Sequence, residues 1–544
     1  MKTFLLVLTL LICGAHTAIA QFEMGTINPN KIKATFSSSG RLFWDEFSSA
    51  RFIVPYDPNT NSNKSAISLG TLWFMAIDSN TGDTLMAVQM YGQEGSDFLP
   101  GPLPPNASIG FTPPDVHLAQ FTRFQVEDGK LDSNKLANGV LKWPASYTYQ
   151  GNQFPLAPFQ DNNKNGIYEP KLGEIPSYNG EDYIYFVYHD MVNHPVSKTA
   201  PIGLQIQTEA FGFSRLYSSI DAVLFLKYKV ISTSRNLKEF RMGVYTDFDL
   251  GNYSDDMIGT DTSRNMVYVY NGDQDDEGIL GYGLNPPAMG IVFLNQPLCQ
   301  SCFHMNQPRW KDSTHAFRPP FHPKEFKNLL EAKNTAGDSM TVLTPGSMYG
   351  KKSRYAFTGD PSTSTGWTMD SDTFSGNDYR SLAITGAPSL NKSDTFELFL
   401  MYVYDRTTPN GGRLASIDSI RAKVDFLRAR GFIQQKPQIP ADCFAPRITK
   451  DTTGQGTGIF PSYQMETSTV YPNPADKSLT VQLSHENSNF TCKIMNELGQ
   501  VILKDSGTGE LKIDCSNLPQ GIYYVHLEAT QLGQRSVHKL VVLH

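Results

Sequence analysis

Two stretches of the chain concentrate oxygen ligands. In "QDNNKNGIYEPKLGE", Asp161, Asn163 and Asn165 take alternate positions, Gly166 permits a sharp turn, Ile167 can offer its carbonyl, and Glu169 or Glu174 can close the shell. Hard oxygen donors on a chain that loops back on itself suit Ca²⁺. The loop is not an EF-hand, because Leu172 stands at its twelfth position in place of a glutamate and Pro170 opposes an exiting helix. The expectation is a structural calcium site, set against an Asx-rich turn satisfied by its own backbone.

The second stretch, "YTDFDLGNYSDDMIGTD", places Asp247, Asp249, Asp255, Asp256 and Asp261 within fifteen residues, directly after an apolar run. Like charges so close together are unfavourable unless solvated or neutralised by a cation. Calcium or a surface loop is therefore expected first. A glycosidase acid and base ranks third, since that chemistry needs one raised pKa and a defined carboxylate separation.

A third group is Cys299 and Cys302 with His304, His315 and His322. Two thiolates and two imidazoles can hold zinc, but the seven-residue step from His315 to His322 fits no common structural module, so zinc is not expected. Export favours a local disulfide between Cys299 and Cys302. His189-Asp190, at the end of an apolar run, reads as a turn and not a catalytic dyad. Trp143 and Trp367, in Pro-, Gly- and Thr-rich surroundings, are the tryptophans best placed to be exposed for sugar stacking, although core or loop-anchoring roles come first for each. The chain contains no HExxH, no GxSxG, no phosphate-cradling glycine loop after a strand and no papain-like cysteine signature.

The elements that must position these groups are strands. Of 544 residues, 40% are hydrophobic and 12% aromatic, and 43 Gly with 34 Pro supply turns, which leans all-β across two or three domains. From Ile27 to about Asp405, short apolar runs such as "LGTLWFMAI", "AVLFLKYKVI" and "FELFLMYVY" alternate with Gly, Pro, Asn and Asp clusters, as in sandwiches. One helix is expected near 415–430, where Ile417, Ile420, Val424 and Leu427 recur at helical spacing between a Ser416 N-cap and a Gly431 stop. Its basic residues are expected on a solvated face. A Pro-, Gly- and Thr-rich linker follows over 441–468.

The N-terminus has one Lys, an apolar run from Phe4 to Cys13, and then Ala18-Ile19-Ala20, the pattern of a signal peptide at 1–20 cleaved between Ala20 and Gln21. Ile12 precedes Cys13 where a lipobox needs a small residue, so a lipid anchor is the weaker reading. No later stretch reaches the roughly 18 apolar residues of a membrane span. A net charge of −7, without a long Lys/Arg run, argues against nucleic acid as a partner.

The last 75 or so residues form a unit of their own, with alternation at Leu479, Val481 and Leu483 and a hairpin around Leu498-Gly499. Its segments "VYPNPADKSLTVQL", "IMNELGQVIL", "IDCSNLPQGIYYVHL" and "KLVVLH" resemble the type A C-terminal sorting domain of proteins exported by the type IX, or Por, secretion system of Bacteroidetes. The resemblance implies that 469–544 present the chain to the outer-membrane translocon and to a sortase-like protease, leaving cargo released or joined to surface lipopolysaccharide. Cys492 and Cys515 on predicted strands depart from that pattern, either as a bridging pair or as two buried thiols. Segments of the large domain, among them "GRLFWDEFSSARFIVP", "NGIYEPKLGEIPSYNGEDYIYFVYHD" and "NDYRSLAITGAPSLNKSDTFELFLMYVYDR", are similar to those of large secreted proteins carrying the same sorting domain. That likeness implies extracellular placement and supplies no catalytic residue.

The expected protein is all-β: a large multi-stranded β-sandwich-type domain over 22–440, a linker, and a small C-terminal immunoglobulin-like β-sandwich. The leading expectation for the large domain is a non-catalytic surface module that binds glycan, protein or cell envelope and is stabilised by calcium. The alternatives are a secreted carboxylate hydrolase of glycosidase type and a structural protein of an extracellular layer.

Overall fold

The computed structural model describes residues 22–544 apart from 46–48, 51, 61–62, 114–117, 132, 214–219, 307–314, 344–348, 373, 408–410, 445–467, 484–488, 497–500, 530–534 and 544. The expected signal peptide with its Ala20/Gln21 cleavage site lies outside the described residues, as do the expected turn at Leu498-Gly499 and most of the expected linker.

The chain is all-β and divides into two compact units, Met1–Ile448 and Thr449–His544. In the first unit, an eight-stranded sheet runs in the order Met24–Ile27, Lys33–Ser37, Phe52–Ile53, Ser65–Asp78, Leu237–Phe248, Tyr379–Leu390 and Gln300–Met305, with Thr84–Ala87 also paired to Ser65–Asp78. A nine-stranded sheet runs Asp256–Asp261, Met266–Asn271, Ala288–Phe293, Thr395–Asp405, Val223–Ser232, Leu204–Gly212, Asp182–His189 and Leu99–Pro100, with Leu118–Thr122 on Asp182–His189. Their long central strands pair antiparallel.

Aromatic side chains join the two sheets face to face. Phe43 meets Tyr402 at 5.6 Å, Phe36 meets Phe186 at 6.3 Å, and Phe240 meets Phe396 at 5.3 Å. The outer faces are covered as well, which is why Ser65–Asp78 reads as one long apolar run and not as an alternation. Pro323–Leu330 is a helix lying on the first sheet, with Phe326 5.4 Å from Trp73, and the helix Gly412–Ala429 lies on the second.

Three features differ from expectation. Helices at Arg123–Leu131, Asn138–Leu141 and Pro323–Leu330 join the one read from periodicity, because short helices carry too few turns to show a period. Ser416 is a buried residue one turn inside its helix, its hydroxyl donating to the Pro286 carbonyl at 2.9 Å. The basic face of that helix is docked: Arg421 reaches Asp360 at 2.8 Å and Asp261 at 3.3 Å, Lys423 donates to the Tyr404 carbonyl at 3.1 Å, and Arg413 pairs with Asp370. These partners lie on distant strands and loops, so the helix pattern alone does not reveal them.

The start of the expected linker also belongs to the large unit. Arg354 donates to the Ala441 carbonyl at 2.7 Å, Cys443 forms a disulfide, and the Arg241 guanidinium lies 3.8 Å from the Phe444 ring centre. In the second unit, strands from Ser468–Tyr471 to Arg535–Val542 surround a core that includes Leu479, Val481, Phe490, Ile494, Val525 and Leu540.

Candidate functional site

Leu237–Phe248, Tyr379–Leu390 and Gln300–Met305 are consecutive strands, and their register sets Asp247 opposite Arg380 and Arg380 opposite His304. Opposed residues of an antiparallel pair share a face. A carboxylate, a guanidinium and an imidazole therefore form a row on the face under the helix Pro323–Leu330. Behind the row, Tyr245 stacks on His304 at 5.8 Å and on Trp73 at 4.5 Å. Arg380 Nε lies 3.0 Å from Asp247 Oδ2, and the Tyr91 hydroxyl donates to that same oxygen. Burial opposes the charge on Arg380, but Asp247 together with Tyr245, Tyr91 and Asp378 outweighs it and raises the guanidinium pKa well above normal. Burial, followed by the charge of Arg380, pushes His304 down to about 3.

Asp249 lies just past the end of the strand, beyond a register shift between Asp247 and Phe248. The Ser68 hydroxyl donates to its carboxylate. Asp378 arrives from the loop before Tyr379–Leu390, with Oδ2 accepting from Asn306 Nδ2 at 2.7 Å. One carboxylate oxygen from each of Asp247, Asp249 and Asp378 lies within 4.8 Å of the others. Asp247 is 1% exposed, and the other two are half-buried. Oδ1 of Asp247 and Oδ1 of Asp378 are buried and accept no hydrogen bond. Burial, then the charges of Asp247 and Asp378, push Asp249 well above the carboxylate range, and burial with Asp247 lifts Asp378 to about 6. The group can hold protons or a cation. Sequence reasoning found two of its members and missed Asp378, Arg380 and Tyr91, which come from far along the chain, Arg380 through strand register.

The remaining carboxylates of the stretch do not join this cluster. Asp255 is half-buried, with both carboxylate oxygens buried and unpaired, and neighbours the exposed Asp273 and Glu277. Asp256 is fully buried, with Oδ2 accepting the Leu250 amide at 3.0 Å, and burial drives its pKa well up. Burial would also raise Asp261, but bonds from Ser263 and Arg264 and the charges of Arg264 and Arg421 hold it below the usual range. The turn that separates these groups closes at Gly251, whose φ is 76° and where a Cβ would stand 2.1 Å from Asp276 Oδ2.

The other oxygen-rich loop keeps its candidates together. Asp161 Oδ2 accepts the Gly166 amide at 2.8 Å, Asn163 Oδ1 accepts that of Asn165 at 3.0 Å, and Asn165 Oδ1 accepts that of Ile167 at 2.7 Å. Glu169 Oε2 receives the side-chain amides of Asn163 and Asn165 at 2.8 Å each. Glu174, 1% exposed, receives the backbone amides of Asn162 at 3.1 Å and Glu169 at 2.8 Å. Gly166, with φ of 75°, makes the turn.

Cys299 bonds to Cys443, 144 residues away, and not to Cys302. Residues three apart on extended chain face opposite sides, which prevents the local bridge. The buried Cys302 thiol donates to the Leu329 carbonyl at 3.1 Å. The zinc set is dispersed too: Cys299 is consumed, His315 Nδ1 accepts the Phe317 amide at 3.2 Å, and His322 is the N-cap residue of its helix. Cys492 and Cys515 are buried thiols of the second unit, and burial pushes Cys492 up to about 12. Trp143 is 4% exposed and Trp367 5%, with indole N–H groups bonded to the Pro158 carbonyl and to Asp372, so neither forms a sugar platform. Flanking Pro and Gly mark turns there, and those turns fold over the rings. His189 ends the strand Asp182–His189, and the carboxylate of Asp190 after it accepts the amides of Ile202, Gly203 and Leu204.

Among solved structures, the chain is similar to a DUF3244-family protein with an immunoglobulin-like β-sandwich fold from Bacteroides vulgatus, at 18% identity over 14% of this chain and 81% of that one, TM-score 0.12. It is also similar to the BSP domain of a biofilm-associated protein (8% identity, 96% and 81% covered, TM-score 0.13). A third is PorZ, a surface component of the type IX secretion system of Porphyromonas gingivalis (10% identity, 96% and 75% covered, TM-score 0.14). No curated protein matches the chain. Among the described residues, no helix is long and apolar enough to cross a membrane. Residues 469–543 match the family model of the secretion system C-terminal sorting domain. The chain is thus a cargo of the type IX secretion system, exported through that sorting domain to the outside of the cell.

Proposed function

We propose that the large unit acts outside the cell as a non-catalytic module binding a glycan, protein or envelope component, with calcium closing the loop from Asp161 to Glu174. The observation that carries this reading is the fate of the carboxylates from Asp247 to Asp261. A glycosidase needs two carboxyl groups facing each other across the substrate. Here Asp261 is neutralised by arginines, Asp256 is sealed against the Leu250 amide, and Asp247 is engaged by Tyr91 and Arg380. For the loop, support comes from Asp161, Asn163, Asn165, Glu169 and Glu174, which one hydrogen-bonded turn holds near each other, with three carboxylates among them. Such a donor set suits a hard divalent cation.

The test uses the mature chain from Gln21, applied in calcium to glycan arrays and to isolated cell envelopes, with chromogenic glycosides assayed in parallel. Saturable binding without turnover, weakened by chelator and by Asp161→Asn, is the expected result. Turnover lost in Asp249→Asn would establish the hydrolase instead, and failure to bind any of these targets would remove the binding reading.

A further inference from the structure

We propose that Asp247, Asp249 and Asp378 form a second divalent-cation site, of the calcium class, which ties the end of the strand Leu237–Phe248 to the loop preceding Tyr379–Leu390. The proposal is independent of the Asp161–Glu174 loop. It differs from the reading of the sequence by recruiting Asp378 and by leaving out Asp255, Asp256 and Asp261.

Charge is the first argument. Three carboxylates converge within 4.8 Å with Arg380 as the adjoining cation, so their full ionisation would leave two negative charges without a counter-charge. Like charges at that spacing ionise together only if something neutralises them. A divalent ion matches the deficit.

Unused bonding capacity is the second, independent argument. Asp247 is 1% exposed, its Oδ2 is taken by Tyr91 and Arg380, and its Oδ1 accepts nothing. Buried carboxylate oxygens in folded proteins are normally satisfied, and each exception calls for an explanation such as an ion. Oδ1 of Asp378 is a second such oxygen. Ser68 and Asn306 meanwhile hold Asp249 and Asp378 from outside the cluster, as supporting hydrogen bonds do around metal ligands.

Donor type and access define the ion. All three donors are carboxylate oxygens, which favour hard cations over zinc or copper. Asp249 and Asp378 are half-buried, so the ion has a way in.

Terbium luminescence tests the site directly, because Tyr91 bonds to Asp247 and the Trp44 ring lies 4.7 Å from that of Tyr91, placing two sensitisers beside it. The mature chain carrying Asp161→Asn, stripped with chelator, is titrated with Tb³⁺ under excitation of its aromatic side chains and then with competing Ca²⁺. The expected result is saturable emission displaced by calcium and weakened at least about tenfold by adding Asp378→Asn or Asp249→Asn. In chelator, Asp378→Asn should melt no lower than its parent because it removes a like charge, and the rise in Tm with calcium should vanish. Emission that is absent from the parent, or unchanged by both substitutions, overturns the site. Loss of emission through Asp161→Asn alone, relative to wild type, would place the ion in the other loop and also overturn it.

Discussion

Arg380 lies directly across the sheet from Asp247, with Nε 3.0 Å from Oδ2 and both side chains less than a tenth exposed. Removing one partner of a buried ion pair strands the other charge, at a cost of about 3–5 kcal/mol. Arg380→Met should destabilise the large unit by that amount in urea unfolding. In the double variant with Asp247→Asn the loss should fall clearly short of the sum of the single losses, whereas additive losses would show that the two groups do not interact.

His194 sits between two buried carboxylates, with Nδ1 3.8 Å from Asp97 and Nε2 3.7 Å from Asp190. Each ring nitrogen also lies 2.8 Å from a backbone carbonyl, that of Met86 or of Asp190 itself. His194→Leu should cost on the order of 1–3 kcal/mol, because it strips buried polar groups of their hydrogen-bond partner. Urea unfolding of the variant beside wild type checks this, and unchanged stability would contradict it.

His189 is a second buried ring. Burial lowers its pKa from 6.5 to about 3, Nδ1 accepts the Met191 amide at 3.1 Å, and Nε2 is buried without a partner. Between those pH values the unfolded chain binds a proton that the folded chain does not. Its contribution is thus complete above about pH 6.5 and is lost as pH falls towards 3, up to on the order of 4 kcal/mol. His189→Gln should remove up to about one proton from the slope of stability against pH between 6.5 and 4. An unaltered slope would mean that His189 charges freely in the fold. Asp182, which burial raises to about 6, acts with the reverse sign and is cancelled by comparing the variant with wild type.

The Cys299–Cys443 bond closes the segment that follows the helix Gly412–Ala429 back onto the first sheet. Long closed loops restrict the unfolded chain, and loss of a native disulfide typically costs about 2–5 kcal/mol. Cys443→Ser should lower Tm accordingly, and peptide mapping without reduction should recover Cys299 linked to Cys443, with Cys302 alkylated only after denaturation. A Cys299-Cys302 peptide would contradict the pairing.

What could be read from the sequence was local. Leu479, Val481 and Leu483 alternate, and the motifs around Tyr471 and Tyr523 identify the sorting domain before any coordinates. Apolar runs bounded by Gly and Pro marked the strands of both large sheets. What depends on register was hidden: Arg380 meets Asp247 only because their strands pair. The acidic partners of Arg413 and Arg421 were equally invisible on a helix that reads as solvated. Trp143 and Trp367 misled because loop-like flanks say nothing about what folds over them.

Calorimetric titration of Ca²⁺ into the chelator-stripped chain from Gln21 tests the proposed calcium-stabilised module most directly. The account predicts calcium binding in wild type, with one component lost in Asp161→Asn and a separate one lost in Asp378→Asn. Absence of binding in wild type, or binding that both substitutions leave intact, would contradict it.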